Sequence, residues 1–518
     1  MPRRTAPARR RARLPLLKRP RLAVDLSATL NLVGALVKWL SPAFLFPTVI
    51  ALGYGEPIWP FLVAGGVAGV LGFSLEAATS GKERVTAREG YLVVSLVWLL
   101  VPALGALPYL LSGEEQLASP VDALFESMSG FTTTGSSVLT DIPALNHSLL
   151  MWRQFTQFLG GMGFIVLAIT ILARLRVGGR QALFHTESPG PELATFPATI
   201  RDTARRFLTL YVALTVAEVV VLSFLAVTQI DPAMSFFDAV AHAFTTIPTG
   251  GFSPRGRSIE EFGVASQWAI VPFMVLGGTS FALLHVALLK RRPIAFRRDD
   301  EFRVYLFVLT AASLVILVEL LSEQIVTGEA AVRQAIFNTV SVFTTTGFAN
   351  SDFNEWNALT TFVLVGGMLV SASAGSTAGG IKLVRHVVIA KMLRGEVDQT
   401  LHPELVRPIR LNGSVIGEGA LRAIVVFAFL YIGVLAIGTT VLLLDAARVD
   451  ITISPFQALA AAASTMASVG PGFGFAGPMG SFDPFSDVSK LALTELMWLG
   501  RLEIIPILVL LTRSYWRA

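Results

Sequence analysis

Four short segments of this chain each end in an oxygen-rich turn before a glycine, a pattern suited to holding a cation stripped of its water. Gly135, Gly251, Gly347 and Gly470 each lie thirteen positions after Asp122, Asp238, Gln334 and Gln457, and the four segments align without a gap. Two places before each glycine stands a hydroxyl: Thr133, Thr249, Thr345 or Ser468. Four places before it stands a bulky apolar residue: Phe131, Ile247, Phe343 or Met466. Backbone carbonyls can replace an ion's hydration shell without contributing a full negative charge, so the ion can also leave. Glycine allows the backbone angles that turn such carbonyls inward. The candidate ligands are therefore Thr132, Thr133, Thr134 and Gly135; Thr249, Gly250 and Gly251; Thr344, Thr345, Thr346 and Gly347; and Ser468, Val469 and Gly470. No ring of Asp or Glu stands at that level, which argues against a divalent-cation pore.

The elements that must position these residues follow from hydropathy. The chain is 53% hydrophobic and 15% charged, with a mean hydropathy of +0.64, the composition of a polytopic membrane protein. It has no cysteine, which excludes disulfides, thiolate metal sites and cysteine nucleophiles. Its six histidines show no metal-ligand spacing, and His242 reads as a packing residue. A pI near 9.6 reflects basic loops between spans rather than a nucleic-acid surface. A span takes roughly 20 apolar residues, and candidates lie near 30–53, 58–78, 89–112, 151–172, 204–227, 266–289, 301–321, 357–393, 417–444 and 489–513. Simple alternation puts the basic N-terminus, the basic loops 79–88, 173–206, 290–303 and 385–410, and the tail on one side. The positive-inside rule makes that side cytoplasmic. The expectation is ten crossings with both termini in the cytoplasm and no cleavable signal.

The repeated segments are too short to cross. Their apolar runs fit re-entrant half-helices, and three carry a helix-start signature: Ser119-Pro120, Asp231-Pro232 and Ser454-Pro455. The third segment begins instead at Thr327-Gly328. Each repeat reads as span, half-helix, extended glycine strand, span, and four repeats suggest four walls around one axis. The expected fold is an all-α membrane protein. It divides into a basic N-terminus (1–29), a two-helix hairpin (30–88) and pore repeats at 89–203, 204–300, 301–416 and 417–518.

Two features suggest a gate. The long span of repeat three is interrupted by the small residues from Ser371 to Gly380, among them Gly375, Ser376, Gly379 and Gly380. Such a break leaves backbone to be satisfied at membrane depth, as a movable segment or as a kink for close packing. Lys382 is grouped with this segment, although it and Arg385 also read as positive-inside anchors. The second spans carry glycine pairs at Gly160-Gly161, Gly277-Gly278 and Gly366-Gly367, whereas the fourth has Gly500-Arg501. A charge inside a span is costly and faces protein or water. Arg501 is expected to bond carbonyls of the interrupted segment, the alternative being an ion pair with Glu495 or Glu126.

The glycine segments, together with the run from Leu499 to Ile504, resemble the Trk/Ktr/HKT superfamily of potassium transporters over roughly residues 89–513, and the spans within 30–78 resemble the extra N-terminal hairpin found in part of it. The resemblance implies K+ uptake across a bacterial cytoplasmic membrane through a single-chain, pseudo-fourfold pore. It also implies a homodimer, lipid contact and a ring of nucleotide-binding RCK subunits of the TrkA kind, with no nucleic acid bound and no enzymatic activity. Pro248, Gly250, Ala467 and Val469 depart from the Thr pattern, so a Na+-coupled symporter or a less selective Na+/K+ pore is the alternative. A serine hydrolase built on Ser373 or Ser376 lacks a Gly-x-Ser-x-Gly elbow, and a non-conducting scaffold leaves the repeat unexplained.

Overall fold

The computed structural model describes residues 24–79, 86–170, 200–404 and 408–517. The basic stretches 1–23, 80–85 and 171–199, which carry much of the orientation argument, lie outside the described residues. Helix dominates, as it must where every backbone N–H and C=O needs an internal partner. Six described helices are long and apolar enough to cross a membrane: Leu26–Tyr54, Trp59–Ala78, Arg88–Leu111, Asp202–Val227, Asp300–Ser322 and Glu418–Val449. Five of these are a third or less buried, while Arg88–Leu111 is 61% buried. The five form the perimeter, with Trp39, Phe73, Phe224, Phe307 and Phe429 among their exposed side chains. In water these would be a liability; in lipid they are the solvated face.

Of the other four expected crossings, one is a continuous helix over its described residues and three are broken. His147–Thr170 is a helix. The expected continuous span at 266–289 is instead Val264–Gly277 followed by Phe281–Leu289, bent by 103°. The interruption expected in repeat three is present: Ala358–Val370 stops at Ser371, and Leu383–Leu401 begins after Lys382. The expected continuous span at 489–513 is also broken, because Asp487–Arg501 ends where Glu503 and Ile504 take φ of 56° and 60°. Pro506, near the start of the next helix Ile505–Leu510, has no N–H to continue the ladder. Apolar composition does not distinguish a straight span from a bent one.

Half-helices form at Pro120–Phe131, Phe236–Thr246, Gly328–Phe343 and Pro455–Ala467. Ser119 and Ser454 cap the first and last as expected. The second does not start at Asp231-Pro232: Ser235 caps it in a capping box with Asp238, and Asp231 instead accepts from Gly263 N at 2.8 Å. The Ser-x-x-Asp pattern satisfies two orphan donors at once, which outweighs a single Pro signal. The only sheet among the described residues is a hairpin, Arg410–Leu411 with Ser414–Val415. Its two-residue Asn412-Gly413 turn has φ of 48° and 80°, the geometry that Asn-Gly favours.

Candidate functional site

All four half-helices end in the same way. The N–H of Thr133, Thr249, Thr345 and Ser468 bonds the carbonyl three residues back, and the N–H of the next residue bonds the carbonyl five back. This is a Schellman ending. It requires left-handed backbone at the four hydroxyl residues, and their φ values are 53°, 56°, 58° and 56°. Two positions on, Gly135, Gly251, Gly347 and Gly470 also have positive φ, at 89°, 77°, 84° and 109°.

The glycine strands close on one another. A Cβ on Gly135 would stand within 3 Å of Gly250 O, one on Gly251 of Thr346 O, one on Gly347 of Val469 O and one on Gly470 of Thr134 O. Each glycine thus abuts the carbonyl that precedes the next repeat's glycine, and the fourth returns to the first. Ser136 Oγ adds a bond to Gly470 O at 2.7 Å across the same seam. The four hydroxyl residues, two positions before these glycines, are all buried. Among the described residues, Thr133 Oγ1 and Ser468 Oγ have no hydrogen-bond partner, which leaves both oxygens free to take a ligand.

The ring is braced from behind. Four positions into each aligned segment stand Glu126, His242, Asn338 and Ala461. Glu126 accepts from Ser137 Oγ at 3.0 Å and Val138 N at 3.1 Å. His242 Nε2 lies 3.0 Å from Ser253 Oγ, so the histidine is a tether as well as a packing residue. Asn338 donates to Asn350 Oδ1 at 2.7 Å. In repeat four the brace is steric, with Gly472 packed closely on Ala461. From sequence, Glu126 stood only as an alternative partner of Arg501 and His242 only as a packing residue, and their shared bracing position was not recognised, although the aligned polar residues were its signal. The departures from Thr have compensations too: Gln157 fills the space beside Gly250, donating to its carbonyl at 2.7 Å and accepting from Phe252 N at 3.1 Å. In repeats one and three, hydroxyl pairs do this work, Thr132 with Thr134 at 2.8 Å and Thr344 with Thr346 at 2.7 Å.

The interrupted segment 371–382 lies directly against the ring. Gly379 N donates to Thr345 Oγ1 at 3.0 Å, and Thr249 Oγ1 is 3.2 Å from Thr377 Oγ1. A Cβ on Gly379 would run into Ala467 O and Ser468 Cβ. Ser371 Oγ bonds Gly379 O, Ser376 Oγ bonds Ser373 O at 2.7 Å, and Lys382 Nζ bonds Ala378 O. Gly375 and Gly380 have φ of 75° and 66°. Two further bonds, Phe281 N to Gly375 O and Ser373 N to Gly278 O, both 3.1 Å, pin the segment to the break in repeat two.

Arg501 is 3% exposed and donates from Nη1 to Thr377 O at 2.9 Å, within the segment expected to receive it. Its guanidinium also lies 4.3 Å from the Phe164 ring centre. Among the described residues no carboxylate pairs with it. Glu126, offered as an alternative partner, is held by Arg153 at 2.7 Å, and Glu503 pairs with Arg385. The glycine pairs also resolve: Gly160 and Gly500 press on Phe131 O and Met466 O, but in repeat three it is Gly367, not Gly366, that meets the half-helix, at Phe343.

A helical fold with lipid-facing perimeter spans around a ring of carbonyl-bearing strands is that of a membrane transport protein. A family profile described as "TrkH: Cation transport protein" matches residues 64–517. The Trk system potassium uptake protein TrkH of Halomonas elongata is 32% identical over 506 residues, covering 95% of this chain and 100% of that one. Its counterpart of the same description from Escherichia coli K12 is 34% identical, covering 95% and 99%. The crystal structure of the potassium transporter TrkH from Vibrio parahaemolyticus matches with a TM-score of 0.85 at 31% identity, over 95% of this chain and 100% of that one. The chain belongs to the TrkH family of cation transport proteins.

Proposed function

We propose that this protein takes up K+ across the bacterial cytoplasmic membrane through one pore at the centre of the glycine ring, with residues 371–382 and Arg501 as its gate. The observation that carries the reading is the cyclic contact of each glycine with the next repeat's carbonyl. Such a ring offers a monovalent ion peptide oxygens from four strands and no carboxylate, so binding stays weak enough for release. The half-helix C-termini add the negative end of their dipoles. The shared Schellman endings support the four repeats at 89–203, 204–300, 301–416 and 417–518, with the hairpin 30–88 as an addition. The names of the relatives support K+ as cargo.

The gate follows from charge and position. A fixed guanidinium in a low-dielectric site repels an ion beneath the ring, and the Arg501–Thr377 bond ties that charge to the segment touching three of the four hydroxyl positions. Opening requires the segment to move, and Gly375 and Gly380 supply the backbone freedom. The relatives' description as parts of a Trk system supports a further component, which we take to be a cytoplasmic RCK-type regulatory subunit bound to a homodimer of this chain with both termini cytoplasmic. Complementation of a K+-uptake-deficient bacterium at low external K+, followed by 86Rb+ flux into proteoliposomes with Na+ as competitor, tests the assignment. Failure to complement despite membrane insertion and a supplied regulatory subunit would count against it, and equal competition by Na+ would replace K+ selectivity with a mixed pore.

A further inference from the structure

Glu301, in the first turn of Asp300–Ser322, is buried at 6% exposure. Its Oε1 accepts the N–H of Ala374 at 2.7 Å, in the middle of the interrupted segment. The two residues before it turn the other way, toward the Asn-Gly hairpin. Asn412 Nδ2 donates to Asp299 Oδ2 at 2.9 Å, Asn412 N donates to Asp300 Oδ2 at 3.1 Å, and Asn412 Oδ1 accepts from Asp300 N at 2.7 Å. Lys391 Nζ closes the junction with a bond to Arg410 O at 2.8 Å. Leu411 is anchored in a cluster with Val384, Val388 and Ile424. One turn of helix therefore holds the hairpin on one side and the segment beneath the ring on the other.

We propose that Asp299, Asp300 and Glu301 form a mechanical link through which the hairpin 410–415 sets the position of segment 371–382, with Glu301 as the positioning residue. The proposal rests on the gating reading above. The buried Glu301 side chain gives the Ala374 N–H its acceptor, and removing it leaves that donor without one. Asn412 makes all three of its bonds from a tight turn, so displacement of the hairpin is transmitted to the helix start rather than absorbed. The hairpin's outer residues, Arg410 and Val415, are exposed, so a protein binding the basic face can reach it.

The absence of cysteine allows a direct test. Ser373→Cys replaces a 2% exposed side chain in the segment, and a membrane-impermeant thiol reagent applied from the hairpin side reads its position. In that background Glu301→Ala and Asn412→Ala should each label about tenfold faster, the effect of losing a hydrogen bond that satisfies a buried group. Glu301→Gln, which keeps an oxygen for Ala374 N, should label at the parent rate, and the double Ala variant no faster than Glu301→Ala alone. Unchanged labelling in both Ala variants, or Glu301→Gln labelling as fast as Glu301→Ala, overturns the link. Should Glu301→Ala fail to fold, Asn412→Ala, on the half-buried hairpin, decides alone. Rb+ flux through Arg501→Ala is read in parallel: no rise there would remove the gate while leaving the labelling result for the link intact.

Discussion

A helix that ends in a Schellman turn ordinarily places glycine in the left-handed position. All four half-helices place Thr or Ser there, at a conformational cost on the order of 1 kcal/mol each. The side chain must therefore supply something that glycine cannot, and the unpartnered oxygens of Thr133 and Ser468 indicate what that is. Thr133→Gly should leave the unfolding temperature in detergent unchanged or higher while lowering Rb+ flux or selectivity. An oxygen contact to a charge is worth about 1.5–3 kcal/mol, roughly tenfold or more. A loss of stability in parallel with flux would make the hydroxyl structural. At the proposed gate, Arg501→Ala should raise flux several-fold, an estimate from one bond to a charged donor. The ring glycines were legible in sequence because their demand is on backbone angle, which residue type records directly, whereas the left-handed angle of the four hydroxyl residues was not, since Thr and Ser rarely adopt it. Asn412 was legible in the same way, as half of an Asn-Gly turn, but drew no notice amid a basic loop. The bracing residues Glu126, His242 and Asn338 differ in chemistry, so no single residue type marks them.

Elements are bound by contacts that hydropathy does not encode. The spans expected at 30–53, 58–78 and 301–321 were legible because lipid exposure requires a long apolar run. The breaks at 278–280 and 502–504 were not, because the bent backbone is paid for by tertiary bonds such as Thr377 Oγ1 to Gly277 O at 3.2 Å. Glycines in the second spans let the half-helices approach. Gly160→Ala would set a Cβ against Phe131 O and should destabilise by about 1–3 kcal/mol, as overpacking does. Gly366→Ala, with nothing within 4 Å, should instead stabilise slightly, by up to about 1 kcal/mol of helix propensity. Equal thermal shifts for the two would contradict the packing described here. The N-terminal hairpin is joined to repeat one by Glu56, which accepts from His147 N and Ser148 N, both at 2.8 Å. Burial pushes its pKa up, but these bonds outweigh burial and hold it below the ordinary 4.5. A depressed carboxylate contributes stability that is full above 4.5 and lost as pH falls through the lower folded value. Acid should therefore loosen this junction in the parent more than in Glu56→Gln, as read by unfolding temperature between neutral pH and the carboxylate range.

At the scale of the whole molecule the ring joins the four aligned glycine segments, and its closure has a thermodynamic signature. Gly135 presses on Gly250 O, Gly251 on Thr346 O, Gly347 on Val469 O and Gly470 on Thr134 O, so no strand can shift without moving its neighbour. Alanine at any of these glycines adds both a clash and left-handed strain. Independent sites more than about 7–10 Å apart give additive effects, whereas sites sharing a strained element do not. The pair Gly135→Ala and Gly347→Ala, in opposite repeats with no direct contact between their glycines, is the informative one. If the four strands form a single conducting ring, either variant alone should abolish ion flux, and the double variant should lose little further stability than the more damaging single, because the ring has already opened. If the repeats are separate supports, the two losses of stability should add and each single variant should retain flux. The measurement is a double-mutant cycle of thermal unfolding with Rb+ flux on the same preparations, and additivity with retained flux would mean that the four contacts do not form one functional unit.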